Sequence, residues 1–150
     1  MMATAYQPIQ ILVVEDSPAD ANLTRRVFQR AKVSNNLHIV EDGVEALAFL
    51  HQQGKYTGVP RPDLILLDLN LPKKDGREVL AEIKTDLSLR LIPVIVLTTS
   101  DSEDDIIKSY QLHANCYITK PLDWQQFKQV VELIEDFWLK IVQRPIYTKV

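Results

Sequence analysis

Asp68 ends the apolar run Leu64-Ile65-Leu66-Leu67, where a carboxylate is costly unless something uses it. A second acidic group stands in a matching place, because Ile11-Leu12-Val13-Val14 leads straight into Glu15-Asp16. Two buried-strand patterns that each end in carboxylate predict parallel strands delivering acids to one edge of a sheet. Held about 4 Å apart at an effective dielectric near 20, two such charges repel by roughly 4 kcal/mol. A hard divalent cation relieves that repulsion, and an oxygen set without clustered His or Cys points to magnesium or manganese. Thr98 and Lys120 close two further apolar runs, at 94–97 and 116–119. Cation, ammonium and hydroxyl together make a receptor for the three oxygens of a phosphoryl group. Asp68 is the nucleophile such a receptor would serve, giving an aspartyl phosphate.

Placing these groups requires strands that end where the polar residues begin. Residues 9–15 read as a continuous apolar strand, the pattern of a strand covered on both faces. Ser17-Pro18 opens a helix, Ser as cap and Pro at the first helical position, with Leu23, Val27 and Ala31 as its stripe. Asn35-Asn36 reads as a turn before a short strand at 37–40, and a second helix runs from Asp42 or Gly43 to about residue 52. Two Gly and two Pro make 53–62 a loop. The third strand is 64–67, and Asp75-Gly76 precedes a helix with Val79, Leu80 and Ile83 at helical spacing. A strand at 94–97, a helix at about 103–112 and a strand at 116–119 follow. Asp123 with Gln126 resembles a capping box for a last helix running to about residue 142. This alternation predicts an α/β fold with a parallel sheet, whose site lies beyond the strand C-termini where strand order switches.

The chain's 150 residues suffice for one domain. We read an N-terminal extension at 1–8, a folded unit at 9–142 and a tail at 143–150. Hydrophobic residues at 46% and charged residues at 25% give an ordinary globular balance, with a core that needs no staples. A net charge of −3 argues against nonspecific binding to nucleic acid or an anionic membrane. Cys116 is the only cysteine, so neither an intrachain disulfide nor a Cys-based metal site is expected. His38, His51 and His113 share no ligand spacing. No apolar run approaches the roughly 18 residues of a membrane span. MMATAYQPIQ lacks the basic and apolar segments of a signal peptide, so a cytoplasmic location is expected.

In this order and spacing, VVEDSPAD, LLDLNLPKKDG, PVIVLTTS and YITKP resemble the response-regulator receiver domains of two-component signalling, across roughly residues 9–142. The resemblance implies a flavodoxin-like (βα)5 doubly wound sheet of order 2-1-3-4-5. It implies that Asp68 is the phospho-acceptor, that Glu15 and Asp16 hold magnesium with Asp16 the more direct ligand, and that Asn70 offers the metal its backbone carbonyl. Thr98 and Lys120 would contact phosphoryl oxygens, and Tyr117 would be the switch aromatic that swings as Thr98 moves. Lys120-Pro121 would be a cis peptide, at an intrinsic cost of about 0.5–1 kcal/mol. Thr99 stands where many members carry Ala or Gly, and is expected to narrow access to the phosphoryl group and slow its hydrolysis. The loop GKYTGVPRPDL, the Asp68 motif and the long last helix look closest to stand-alone regulators paired with cyanobacterial phytochrome histidine kinases. A phosphohistidine on such a kinase would be the donor.

Only about eight residues follow the last helix, with no DNA-binding module among them, so a surface change read by another protein is the expected output. That helix carries more apolar residues than one core-facing stripe needs. Phe127, Val130, Phe137, Trp138 and Ile141 are candidates for a homodimer interface through the helix 4–strand 5–helix 5 face. Two other readings compete. A phosphatase of the haloacid dehalogenase type wants a second acid two residues after its nucleophile, where Asn70 stands. A receiver-like module acting without phosphorylation would not need Asp16, Asp68, Thr98 and Lys120 intact.

Overall fold

Apolar runs and capped helices alternate along the chain, and so do the elements they form. The structure, a computed structural model, describes residues 7–145. In order these are β1 (Ile9–Val14), α1 (Pro18–Gln29), β2 (Asn35–Val40), α2 (Gly43–Leu50), β3 (Leu64–Leu67), α3 (Gly76–Thr85), β4 (Val94–Thr98), α4 (Glu103–Gln111), β5 (Cys116–Thr119) and α5 (Trp124–Asp136). The strands pair in parallel as β2-β1-β3-β4-β5, the expected order. Strand order switches between β1 and β3, so their C-terminal ends flank the crevice where such sheets bind ligands.

Ser17, Asp42, Asp75, Ser102 and Asp123 each accept a backbone N–H in the first turn of the helix they open. Caps of this kind contribute about 1 kcal/mol each. Successive strand residues face opposite layers, as the two-residue repeat of a strand demands. Leu12, Val14, Ile65 and Leu67 pack with Ala46, Val79, Leu80 and Ile83 on one face. Ile11, Val13, Leu64 and Leu66 pack with Val27 and Phe28 of α1 and Val131 and Ile134 of α5 on the other. α4 differs from the other helices, since Ser109 is its only fully buried residue. Among the described residues no helix is long and apolar enough to cross a membrane.

Two glycines hold the loop after β3 close to its neighbours. A Cβ on Gly43 would sit 2.0 Å from the Lys74 carbonyl oxygen, and one on Gly76 would sit 2.2 Å from that of Asp68. Both helix N-termini therefore press on the segment that follows Asp68.

Several expectations change. Asn35-Asn36, expected as a turn, starts β2 in register with Ile9 and Gln10. The Asn35 amide donates to the Phe28 and Val33 carbonyls at 3.0 Å, which ties the strand's first residue to the end of α1. The loop at 53–62 contains a 3-10 turn, Gly54–Tyr56. The last helix is α-helical only to Asp136, and continues as a π-helical turn, Phe137–Ile141, closed by Val142 N–H on the Phe137 carbonyl at 3.0 Å. Phe127 is not available to a partner, because it is 3% exposed and packed in the core. Parts of the extension at 1–8 and the tail at 143–150 lie outside the described residues.

Candidate functional site

β1 and β3 are neighbours with Val14 opposite Leu67, so Glu15-Asp16 and Asp68 leave the sheet side by side. One carboxylate oxygen from each of Glu15, Asp16 and Asp68 lies within 4.8 Å of the others. Glu15 and Asp68 are only 6% and 7% exposed, whereas Asp16 is open to solvent. The cluster thus has a buried wall and an accessible mouth. An all-oxygen set of this span fits a hard divalent cation and lacks the His or Cys that zinc prefers.

Lys120 follows β5 and its ammonium is buried among these acids. It donates to Glu15 Oε1, to Asp20 Oδ2 at 2.9 Å and to Asp68 Oδ2 at 3.1 Å. An ammonium has three N–H donors, and all three are used. The Phe127 ring, packed in the core, lies under it, 5.9 Å from Nζ to the ring centroid. Burial alone would depress the lysine pKa. The charges of Glu15 and Asp68 and the bonds to Glu15 and Asp20 outweigh burial and hold it above the usual lysine range. Burial pushes the Glu15 carboxyl up to about 7, with Lys120 pulling it down and the Asp68 charge adding to the rise.

The Lys120-Pro121 peptide, expected cis, is trans, as is every other described peptide. Trans is the intrinsically favoured form of X-Pro. From it Lys120 already reaches all three carboxylates.

Thr98 ends β4, fully buried, and its Oγ1 has no hydrogen-bond partner. An orphaned buried hydroxyl costs roughly 1–3 kcal/mol and calls for an explanation. Here it stands at the end of β4, the strand paired with the one that leads into Asp68. Asn70 is exposed, and its N–H donates to Asp68 Oδ1 at 3.2 Å. Tyr117 is half-buried on β5. Its hydroxyl donates to the Ser100 carbonyl at 2.9 Å, and its N–H donates to Tyr110 Oη of α4 at 3.2 Å. Beside it, Arg77 at the start of α3 grips Asp105 of α4 with two bonds, at 2.8 and 2.7 Å. Ser100 Oγ donates to the same carboxylate at 2.6 Å. Arg77 first, then Ser100, hold the Asp105 carboxyl well below the usual carboxylate range.

The structure therefore gathers Glu15, Asp16, Asp68 and Lys120 into one cluster, while Thr98 hydrogen-bonds to none of them and Tyr117 binds the loop beyond β4. Asp20 escaped the sequence reading. In sequence it is a first-turn acid of α1, explained by the helix dipole. Its contact with Lys120 spans 100 residues and exists only in the fold. The available signal was its place one helical turn past Asp16.

The site is thus an oxygen cluster at the strand-order switch, with an orphaned threonine at the end of β4 and a buried lysine just past β5, and it has the makings of a receiver domain. Residues 11–132 match the response regulator receiver domain, and the chain belongs to that family. Within it, the chain is 56% identical over 138 residues to the response regulator Rcp1 of Synechocystis sp., covering 92% of this chain and 94% of that protein. A crystal structure of the Mn(2+)-bound form of Rcp1 superposes with a TM-score of 0.91 at 55% identity, covering 93% of this chain and all (100%) of that one. The phosphorylated cyanobacterial phytochrome response regulator RcpA also reaches a TM-score of 0.91, at 53% identity and the same 93% and 100% coverage.

Proposed function

We propose that Asp68 accepts a phosphoryl group from the phosphohistidine of a sensor histidine kinase, in a step that depends on a divalent cation. One observation carries this reading: Asp68 is buried and shares an ammonium with Glu15, while the Thr98 hydroxyl stands unpaired on the next strand. An Asp68 oxygen attacks phosphorus, the bond from phosphorus to the donor imidazole nitrogen breaks, and the imidazole leaves with the electron pair. Glu15, Asp16, Asp68 and the Asn70 backbone carbonyl would hold Mg2+ or Mn2+, which when bound would supply positive charge against the phosphoryl oxygens. Lys120 exchanges its Asp68 bond for one to a phosphoryl oxygen, and Thr98 donates to another. Asn70 supplies no acid, which favours a lasting phosphoaspartate over the turnover of a phosphatase.

Phosphorylation adds roughly −1.5 to −2 charge at the cluster. Thr98 moves toward it and frees space for Tyr117 to leave the Ser100 carbonyl, reshaping the face of α4, β5 and α5. Shifting that face from 1:99 to 99:1 takes about 5.5 kcal/mol of differential stabilisation. The unit at 9–142 performs these steps in the cytoplasm, with 1–8 and 143–150 as flanks. The relatives support a phytochrome-type kinase as donor. Phe137 and Ile141, 49% and 62% exposed, support a homodimer through the α4–β5–α5 face, with Val130 and Trp138 half-buried beside them.

Incubation with acetyl phosphate and Mg2+, followed by intact mass, tests the chemistry. One added phosphoryl group is expected, and none in Asp68→Asn. No addition to the wild type, or an addition that persists in Asp68→Asn, overturns the reading. Light scattering tests the dimer, and a monomer at micromolar concentration in both phosphorylation states refutes it.

A further inference from the structure

We infer that Asp20 is a positioning residue for Lys120, the carboxylate that keeps the ammonium in place while Asp68 changes partners. This rests on the phosphoryl-transfer reading above. Lys120 Nζ is held by Glu15, Asp20 and Asp68, and the Asp20 contact at 2.9 Å is shorter than the Asp68 contact at 3.1 Å. Glu15 and Asp68 also belong to the oxygen cluster that fits a cation, and Asp20 does not. A cation and a phosphoryl group therefore compete with Lys120 for two of its three acceptors and leave the third alone.

Asp20 is mounted to serve as that fixed post. Its N–H donates to Ser17 Oγ at 3.3 Å, and its carbonyl accepts from Thr24 Oγ1 at 2.9 Å. Thr24 is itself 3% exposed, so the turn bearing Asp20 is locked to the core. Phe127 supports the ammonium from below but offers its N–H groups no oxygen. Without Asp20, every acceptor of Lys120 is one that the reaction rearranges, and one of them is the nucleophile. The ammonium then stays on Asp68, where it dampens attack and is misplaced for the incoming oxygen.

Asp20→Asn and Asp20→Glu in the full chain test this with two readouts. The first is the lysine ammonium 1H–15N spectrum of the metal-free protein. An ammonium held by three charge-assisted bonds gives a slowly exchanging signal, expected to broaden and exchange faster in Asp20→Asn, which leaves only a neutral acceptor, and to persist in Asp20→Glu. The second is phosphorylation by acetyl phosphate with Mg2+ across donor concentration. The limiting rate is expected to fall about tenfold in Asp20→Asn, equivalent to about 1.4 kcal/mol of barrier. The half-saturating donor concentration stays put, and Asp20→Glu recovers most of the rate. A purely structural role in α1 would lower the melting temperature and leave the limiting rate alone. Asp20→Ser, which also removes the charge, repeats the measurement if Asp20→Asn does not fold. A wild-type limiting rate with the ammonium signal unchanged overturns the inference. A wild type that takes no phosphoryl group overturns the phosphoryl-transfer reading instead, and the ammonium spectrum still decides whether Asp20 holds Lys120.

Discussion

Replacing Lys120 with Met keeps an apolar stem of similar length and removes the one positive charge from the middle of the acidic cluster. Carboxylate oxygens within 4.8 Å of one another repel by at least about 3.5 kcal/mol per pair at an effective dielectric of about 20. Breaking a buried ion pair by removing one partner costs roughly 3–5 kcal/mol. Glu15 limits the loss. Its carboxyl, at about 7 with Lys120 present, loses the lysine's downward pull and takes up a proton more readily in the variant. A carboxyl whose folded pKa lies above its unfolded value stabilises the fold at low pH, and that contribution disappears as pH rises through the folded pKa. For the wild type the window runs from 4.5 to about 7, and in the variant it extends higher. Each pH unit within it is worth about 1.4 kcal/mol per proton. The expected cost of Lys120→Met is therefore roughly 3–4 kcal/mol at about pH 8, and smaller by about 1–2 kcal/mol at about pH 6. Urea unfolding followed by the fluorescence of Trp124 and Trp138 measures both. Mg2+ is expected to restore part of the loss by replacing the missing charge. A cost below about 1 kcal/mol near pH 8, or an equal cost at both pH values, would refute the account of the cluster as acids held together by one lysine.

Thr98→Val should leave stability unchanged or raise it by up to about 1 kcal/mol, because the deleted hydroxyl has no partner. The same variant should lose phosphoaspartate yield in the acetyl phosphate assay, and a clear drop in melting temperature would contradict the orphaned-hydroxyl reading. Since burial holds Glu15 near 7, Mn2+ must displace a proton below that pH. Calorimetry should show affinity falling by up to about tenfold per pH unit from about 7 downward, and Glu15→Gln should flatten the slope. Arg77→Ala removes the two-bond grip on Asp105, at a cost of roughly 1–3 kcal/mol. Amide exchange should quicken across 103–111 more than in the sheet, and unchanged exchange there would show that α4 is not tethered by Arg77.

The strands that carry the site were legible because apolar runs ending in a polar residue have few explanations. β3 lies where the run before Asp68 places it, and β5 where the run before Lys120 does. What escaped was set by partners far away in sequence. Asn35-Asn36 has the composition of a turn, yet pairing with β1 and the Asn35 bonds to the end of α1 make it strand. Phe127 looks like surplus apolar surface on a helix until Lys120 is found above its ring. Asp20 reads as an ordinary first-turn acid because its partner lies 100 residues on. The trans Lys120-Pro121 bond shows a limit of a different kind, since a resemblance carries a local geometry that the residues themselves do not dictate.

α4 has one fully buried residue among its nine, and that residue is a serine. Apart from Asp105, held by Arg77 and Ser100, and Tyr110, whose hydroxyl accepts the Tyr117 N–H, folding asks little of the other side chains on this helix. Its outward positions are free to be rewritten without a cavity opening or a core layer shifting. For the protein engineer, α4 is the segment onto which a new recognition surface can be grafted while the cluster of Glu15, Asp16, Asp68 and Lys120 stays untouched.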